Sequence, residues 1–382
     1  MSAIDLIGLG KSFNAVTAVK DLTLSVRDKE FIALLGPSGC GKTTTMNMIA
    51  GIETPSSGEI RFNGVDISRI APNRRNIGFV FQNYAIFTHL SVFENLAFAL
   101  RVRRLARREI DRRVREIAQL MQLSDRLDWP SARLSVNEMQ KLAIGRSAIA
   151  EPAIFLLDEP LSNVDAAFRV FMRAELKRIQ RTLQQTMVYV THDQTEAMSL
   201  ADRIAVLDRG LLQQFDTPAA VYNRPRNTFV ARFMGSPAMN LLEGDLAGRN
   251  GVMVFDAGAK GRLRLDLAEA ERLVNAGVPQ RILLGIRPED IRLADAGGGE
   301  EGLTLPINFI EPIGPRTILH LGDSAAELKV VTGKRAPCRI GEAVKLVMPV
   351  ERRRYFDPQT GLALDARALD TRPGRSGQHG QA

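Results

Sequence analysis

Two stretches of this chain hold residue types and spacings suited to phosphate chemistry. The first is GPSGCGKT, Gly36 to Thr43, which fits G-x-x-x-x-G-K-[ST]. Gly36, Gly39 and Gly41 allow a tight turn that brings backbone N–H groups against phosphate oxygens, where a side chain would intrude. Lys42 supplies a point charge to the β- and γ-phosphates of a nucleotide, and Thr43 offers a hydroxyl to Mg²⁺. The second stretch, AIFLLDEP, ends an apolar run in two carboxylates. Asp158 is placed to hold Mg²⁺ directly or through water, and Glu159 to orient or deprotonate an attacking water. An apolar strand ending in acids is common by itself; paired with the glycine loop it points to a nucleoside triphosphate site. His192 closes a further apolar run, MVYVTHD. A lone histidine there is usually structural, and at a strand end it can also reach a γ-phosphate.

These residues need elements to position them. Phe31 to Leu35 reads as a buried strand before the loop, and the apolar period after it reads as a helix whose N-terminus adds positive potential. Residues 4–35 alternate short apolar runs with turns, as an opening β-subdomain would. Phe13, in KSF, reads as core, with stacking on an adenine ring as the functional alternative. GIETPSSGEIRFNGVDI predicts a turn-rich β segment, and NIGFVFQNYAIFTHLSVFENL a strand running into a helix capped by Ser91 with Glu94. Phe79, Phe81, Tyr84 and Phe87 cluster there and read as core packing. Alternating strands and helices predict a mostly parallel sheet with ligands at strand C-termini. Beyond GSPAMN, short runs such as VMVF, ILLGIR and LTLPINFI between Gly, Pro and Asp predict a small β-barrel. The tail, 361–382, has almost no apolar content and is expected to be disordered.

The 382 residues allow two or three domains, and 45% hydrophobic with 25% charged residues fits a globular protein. No run approaches the ~18 apolar residues of a membrane span, and MSAIDLIGLGKSF does not read as a signal peptide. Two cysteines make no disulfide framework, as in a reducing cytosol, and four scattered histidines argue against a zinc site. The net charge of +8 would suit nucleic acid or an anionic surface, but much of it is local. Between Arg101 and Arg115, eight arginines face only Glu109 and Asp111. Ile110, Val114, Ile117 and Met121 give that segment a helical apolar stripe, so it reads as a solvated helix face. No nucleic-acid signature accompanies it, and no nucleic-acid partner is expected.

Taken together, GPSGCGKTTT, VFQNYAIF, FLLDEPLSNVDA and VYVTHDQTEAMSLADRI resemble, in order and spacing, the ATP-binding subunits of ABC transporters. The likeness is strongest to the importer subgroup for sugars and related solutes, over residues 4–355. It implies a P-loop NTPase of ABC cassette type, with a RecA-like core and a helical subdomain, followed by a small all-β OB-like domain. The implied domains are 1–235 for the ATPase, with its helical subdomain at about 86–152, and 236–360 for the OB-like regulatory domain. It makes ATP and Mg²⁺ the cofactors. It adds Ser38, Cys40 and Thr44 to the nucleotide-contacting loop and makes Phe13 the adenine-stacking aromatic. Gln82 becomes the glutamine of the Mg²⁺ and water shell. Asp158 and Glu159 become the metal-holding acid and the catalytic base, Asp165 a residue crossing a dimer interface, and His192 the switch histidine. The aromatic cluster would frame a groove for a membrane partner, and GIRPEDIRL and EPIGPRTILHLG resemble the appended regulatory domain. The implied role is to power import of a sugar, polyol or glycerol phosphate from the cytoplasmic face of the inner membrane. Permease subunits are the direct partners and a solute-binding protein an indirect one. Alternatives are a polyamine or ferric-ion importer, a non-catalytic nucleotide-binding subunit, or a soluble ABC protein.

One motif departs from the family. Where relatives have LSGGQ, this chain has LSVNE, Leu134 to Glu138, keeping Ser135 and losing both glycines. In the family this loop approaches the γ-phosphate held by the other subunit. Val136 and Asn137 add bulk, and Glu138 brings a like charge to a triphosphate. The departure predicts a heterodimer with a second ATPase carrying an intact loop, rather than a homodimer.

Overall fold

The computed structural model describes residues 3–162, 164–249, 252–275, 277–294, 302–322, 327–333 and 338–364. The chain opens on antiparallel strands β1 (Ile4–Phe13) and β2 (Val16–Val26). β3 (Phe31–Leu35) and α1 (Lys42–Ala50) flank the glycine loop. β4 (Ser57–Phe62) and β5 (Val65–Asp66) then complete a four-stranded antiparallel sheet, β2-β1-β4-β5.

The helical segment begins after β6 (Ile77–Val80) and contains α2 (Val92–Val102), α3 (Arg107–Leu120) and α4 (Val136–Ala148). Ser91 and Glu94 form the expected reciprocal cap of α2. On α3, Ile110, Val114 and Ile117 are buried, while Glu109–Arg113 and Asp111–Arg115 pair at 2.6 and 2.9 Å. Next come β7 (Ile154–Asp158), α5 (Ala166–Leu183), β8 (Thr186–Thr191), α6 (Gln194–Leu200), β9 (Arg203–Asp208) and β10 (Leu211–Asp216).

The central sheet has the order β10-β9-β3-β8-β7-β6, parallel at every pairing except β10 with β9. β3, β7 and β8 are buried along their whole length, so their side chains serve two cores in alternation. Phe31, Phe155, Leu157, Met187 and Tyr189 pack with α2–α5, whereas Ile32, Leu34, Leu156, Val188 and Val190 pack with α1 and the antiparallel sheet. That central position puts the C-terminal ends of β3, β7 and β8 side by side.

The chain divides into two compact units, Met1–Pro218 and Ala219–Ala382. The second begins within α7 (Pro218–Asn223) and continues through α8 (Thr228–Phe233). Its strands are β11 (Asn240–Arg249), β12 (Val252–Asp256), β13 (Arg262–Arg264), β14 (Arg281–Ile286), β15 (Arg292–Leu293), β16 (Leu303–Ile313), β17 (Arg316–Leu321), β18 (Leu328–Thr332), β19 (Ala343–Val347) and β20 (Arg354–Phe356). They form two five-stranded antiparallel sheets around one core. Helix α9 (Leu267–Asn275) lies between β13 and β14. Its start is marked by Asp266, whose carboxylate accepts the Glu269 N–H at 2.7 Å. Of the tail expected over 361–382, residues 361–364 are instead held in place: the Gly361 carbonyl accepts the Thr228 N–H at 2.8 Å, the Ala363 and Leu364 N–H groups donate to the Arg226 and Tyr355 carbonyls at 2.9 and 2.7 Å, and Ala363 is buried. The rest, from 365 onward, lies outside the described residues.

Candidate active site

The loop after β3 has a buried and an exposed side. Gly36, Cys40, Gly41 and Lys42 are buried; Ser38, Gly39 and Thr43 are exposed, and Thr44 is half-buried. Gly39 and Gly41 have φ of 78° and 98°, in the left-handed region that favours glycine. At Gly36 a Cβ would run into the Leu207 carbonyl oxygen and Cys40 Sγ. Lys42 Nζ donates to the Gly36 and Pro37 carbonyls at 2.8 and 2.9 Å, so the ammonium lies inside the curve of its own loop. Cys40 packs into the core, where burial raises its thiol pKa, so its side chain does not face the loop's exposed side.

Asp158 ends β7 and accepts a hydrogen bond from Thr43 Oγ1 at 3.4 Å. Burial and the neighbouring Glu159 raise its pKa. A hydroxyl beside a buried carboxylate is a pair of hard oxygen donors, a fit for Mg²⁺. Glu159 has a φ of 44°, and its N–H donates to the Val190 carbonyl at 3.0 Å, which fixes the turn at the end of β7 against β8. Glu159 Oε2 lies 3.2 Å from His192 Nδ1. Three expected residues, Asp158, Glu159 and His192, thus meet at adjacent strand ends.

Others lie apart. Phe13 is 43% exposed with Lys11 Nζ 4.7 Å from its ring centre, so its reading as core is corrected; the end of a two-stranded hairpin has no layer to bury it. Gln82 is exposed, at the start of a loop in which Tyr84 and Ala85 both take positive φ and Arg146 Nη1 holds the Ala85 carbonyl at 2.6 Å. Phe81 and Phe98 are also partly exposed, against rings of Phe79 and Phe87, so that aromatic cluster is not wholly core. Among the described residues, Phe13, Gln82, Ser135 and Asp165 make no hydrogen bond or ion pair to the glycine loop.

LSVNE starts α4. Ser135 is its cap, accepting the Glu138 N–H at 3.3 Å, while Glu138 Oε2 accepts the Ser135 N–H at 2.9 Å and its hydroxyl at 2.8 Å. Arg126 Nε adds a contact to Glu138 Oε1 at 3.3 Å. The Ser135 donors and Arg126 lower the Glu138 pKa. Asn137 Nδ2 donates to Asp165 Oδ2 at 3.4 Å, and Asp165 caps α5 through the Phe168 N–H. Contrary to the expectation from its charge, Glu138 is a capping carboxylate with its own donors and counter-ion, and SVNE carries the S-x-x-E pattern of such a cap.

Supporting residues were not anticipated. Gln140, buried on α4, donates to the Pro160 carbonyl beside Glu159. Buried Glu196, on α6, accepts from Tyr189 OH at 2.8 Å and Thr191 Oγ1 at 2.7 Å. Their partners are distant in sequence or hidden in the core, which no local pattern announces.

A glycine loop between β3 and α1 of a mostly parallel sheet, with acids ending β7, separated from β3 by β8 alone, defines a P-loop nucleoside triphosphatase. The ABC transporter family model matches residues 19–162, the MalK OB fold domain 235–291 and the TOBE domain 284–356. The trehalose/maltose import ATP-binding protein MalK of Thermococcus litoralis is 42% identical, over 95% of this chain and 100% of its own length. The sn-glycerol-3-phosphate import ATP-binding protein UgpC of Cereibacter sphaeroides is 40% identical, over 95% and 100%. A dimeric ATP-binding cassette solved in a post-hydrolysis state with ADP and Pi superposes with a TM-score of 0.52 at 26% identity, covering 56% of this chain and 98% of its own. The chain belongs to the ATP-binding subunits of ABC transporters and is an ATPase of that class. No helix among the described residues is long and apolar enough to cross a membrane. The heterodimer expected from LSVNE finds no support among these relatives, and its electrostatic premise fails with the capped Glu138.

Proposed function

We propose that the chain is the ATP-hydrolysing subunit of an importer for a sugar or glycerol-phosphate solute, working as a dimer of two copies bound to permease subunits at the membrane. The relatives' names support this solute class. The partly exposed aromatics around Phe81 and Phe98 offer a surface for a permease segment. The proposed division of labour runs from 1–235 for ATP chemistry to 236–360 for regulation and contacts between copies.

In this reading Lys42 and the N–H groups of the loop bind the phosphates, with the exposed Ser38 and the half-buried Thr44 adding contacts, and Phe13 faces the adenine. Thr43, Asp158 and Gln82 would hold Mg²⁺, which when bound neutralises charge on the β- and γ-phosphates. Glu159 takes the proton of the attacking water, and His192, paired with Glu159 at 3.2 Å, orients that carboxylate. Ser135 and Asp165 reach the nucleotide of the opposite copy. ATP held between two copies binds the closed state more tightly than the open one and so drives closure.

The observation that carries this reading is the meeting of Glu159 and His192 at the ends of β7 and β8, beside a Thr43–Asp158 pair. Replacing Glu159 with Gln removes the base and leaves the phosphate contacts. We expect ATP binding to be retained, turnover to fall by about 10²-fold or more, and a stable ATP-bound dimer to accumulate on size-exclusion chromatography. Unchanged turnover would sink the assignment.

A further inference from the structure

His192 meets Glu159 although its side chain is 60% exposed, so packing does not hold the ring in place. Its position follows instead from the backbone of its neighbours, Thr191 and Asp193. Both are tied down. Thr191 Oγ1 donates to Glu196 Oε2 at 2.7 Å and accepts the Asp193 N–H at 2.9 Å. Asp193 Oδ1 caps α6, accepting the Thr195 and Glu196 N–H groups at 2.7 and 3.2 Å.

The remaining oxygens of both acids face one cation. Arg169 Nη1 donates to Asp193 Oδ2 at 3.4 Å, and its Nε stands 3.7 Å from Glu196 Oε1. That Nε is buried and makes no hydrogen bond. Arg169 Nη2 reaches back to the Val164 carbonyl at 3.4 Å, next to Asp165. The guanidinium therefore joins the segment leaving β7 to the segment leaving β8. Glu196 is buried, and among the described residues Arg169 is the cation within 4 Å that offsets its charge. A buried carboxylate without a counter-ion is costly, so removing this cation should shift the turn that carries His192.

We propose that Arg169 is a positioning residue for ATP hydrolysis: through Asp193 and Glu196 it sets the turn that presents His192 to Glu159. The proposal rests on the reading that Glu159 and His192 serve hydrolysis. Among the described residues Arg169 makes no hydrogen bond or ion pair to Glu159 or the glycine loop, so it acts through His192.

The test uses the full chain and four variants: Arg169→Gln, Arg169→Lys, His192→Ala and the double variant Arg169→Gln with His192→Ala. Arg169→Gln should lower kcat about tenfold and leave the ATP Kd within about twofold, because the phosphate contacts lie elsewhere. Arg169→Lys should recover part of the lost kcat, since an ammonium keeps the charge that faces the two acids but loses the planar fork that reaches both at once. The double variant should be no slower than His192→Ala alone, because the two losses are the same loss. Unchanged kcat in Arg169→Gln, additive losses in the double variant, or no recovery with lysine would each overturn the proposal. Full activity in His192→Ala would overturn the underlying reading of the site instead. If Arg169→Gln does not fold, Asp193→Asn takes the charge from the Arg169–Asp193 pair alone while keeping a competent cap for α6; a fall in kcat that is absent in the His192→Ala background supports the proposal, and an unchanged kcat overturns it.

Discussion

At the scale of single residues, the glycine loop owes its shape to exclusion as much as to contact. Gly36 lies where any Cβ would strike Leu207 and Cys40, and Lys42 is held by two carbonyls of the loop it serves. Those carbonyls fix the ammonium without neutralising it, since they carry only partial charge. Replacing Lys42 with Ala should therefore weaken ATP binding by about 2 kcal/mol, roughly thirtyfold in Kd, measurable by fluorescent-nucleotide titration. An unchanged Kd would mean that the phosphates bind elsewhere. Cys40 shows the reverse case: it sits in the motif by position, yet its side chain belongs to the core under α1.

At the scale of elements, the departure from LSGGQ proves to be a helix cap. Ser135 and Glu138 satisfy each other's backbone donors at the start of α4, and Arg126 balances the carboxylate. Replacing Ser135 with Ala should destabilise the first unit by about 1 kcal/mol, read from the urea midpoint. The Glu138 pKa lies below the ordinary glutamate range, so its contribution is present above the unfolded value of about 4.3 and is lost as pH falls through the lowered folded value. The difference in urea midpoint between the wild type and Glu138→Gln should accordingly be larger near about pH 6 than near about pH 3. A difference independent of pH would show that the carboxylate's charge does not serve the cap.

At the scale of the whole molecule, the two units carry separate cores, and ligand and lesion should address them separately. ATP at about a hundred times its Kd should stabilise the first unit by about 2.7 kcal/mol and leave the transition of the second where it was, in a thermal scan. The second unit has its own fastening. Buried Arg287 donates to the carbonyls of Ala231, Met234 and Tyr222, pinning α7 and α8 to the β domain. Arg287→Met should lower the midpoint of that unit, by about 1–3 kcal/mol for each buried acceptor left unpaired, with ATP affinity unchanged. A loss of ATP affinity in that variant would contradict the separation.

The chemistry of the loop, the acids closing β7 and the histidine closing β8 were legible in the sequence because each is local: a glycine spacing, an apolar run and its ending. The parallel sheet followed from the alternation of elements, and the buried stripe of α3 from its helical apolar spacing. The same local reading went wrong where a side chain had alternatives that only neighbours distant in sequence could decide. Phe13 has the composition of core but ends a hairpin with no layer above it. Glu138 has the charge of an intruder but folds back on Ser135 and Arg126. Nothing in the sequence marks Arg169, and only the approach of α5 to the end of β8 gives it Asp193 and Glu196 to hold. Backbone patterns repeat within a few residues and can be read along the chain; the direction of a charged side chain depends on which opposite charge the tertiary fold brings within 4 Å.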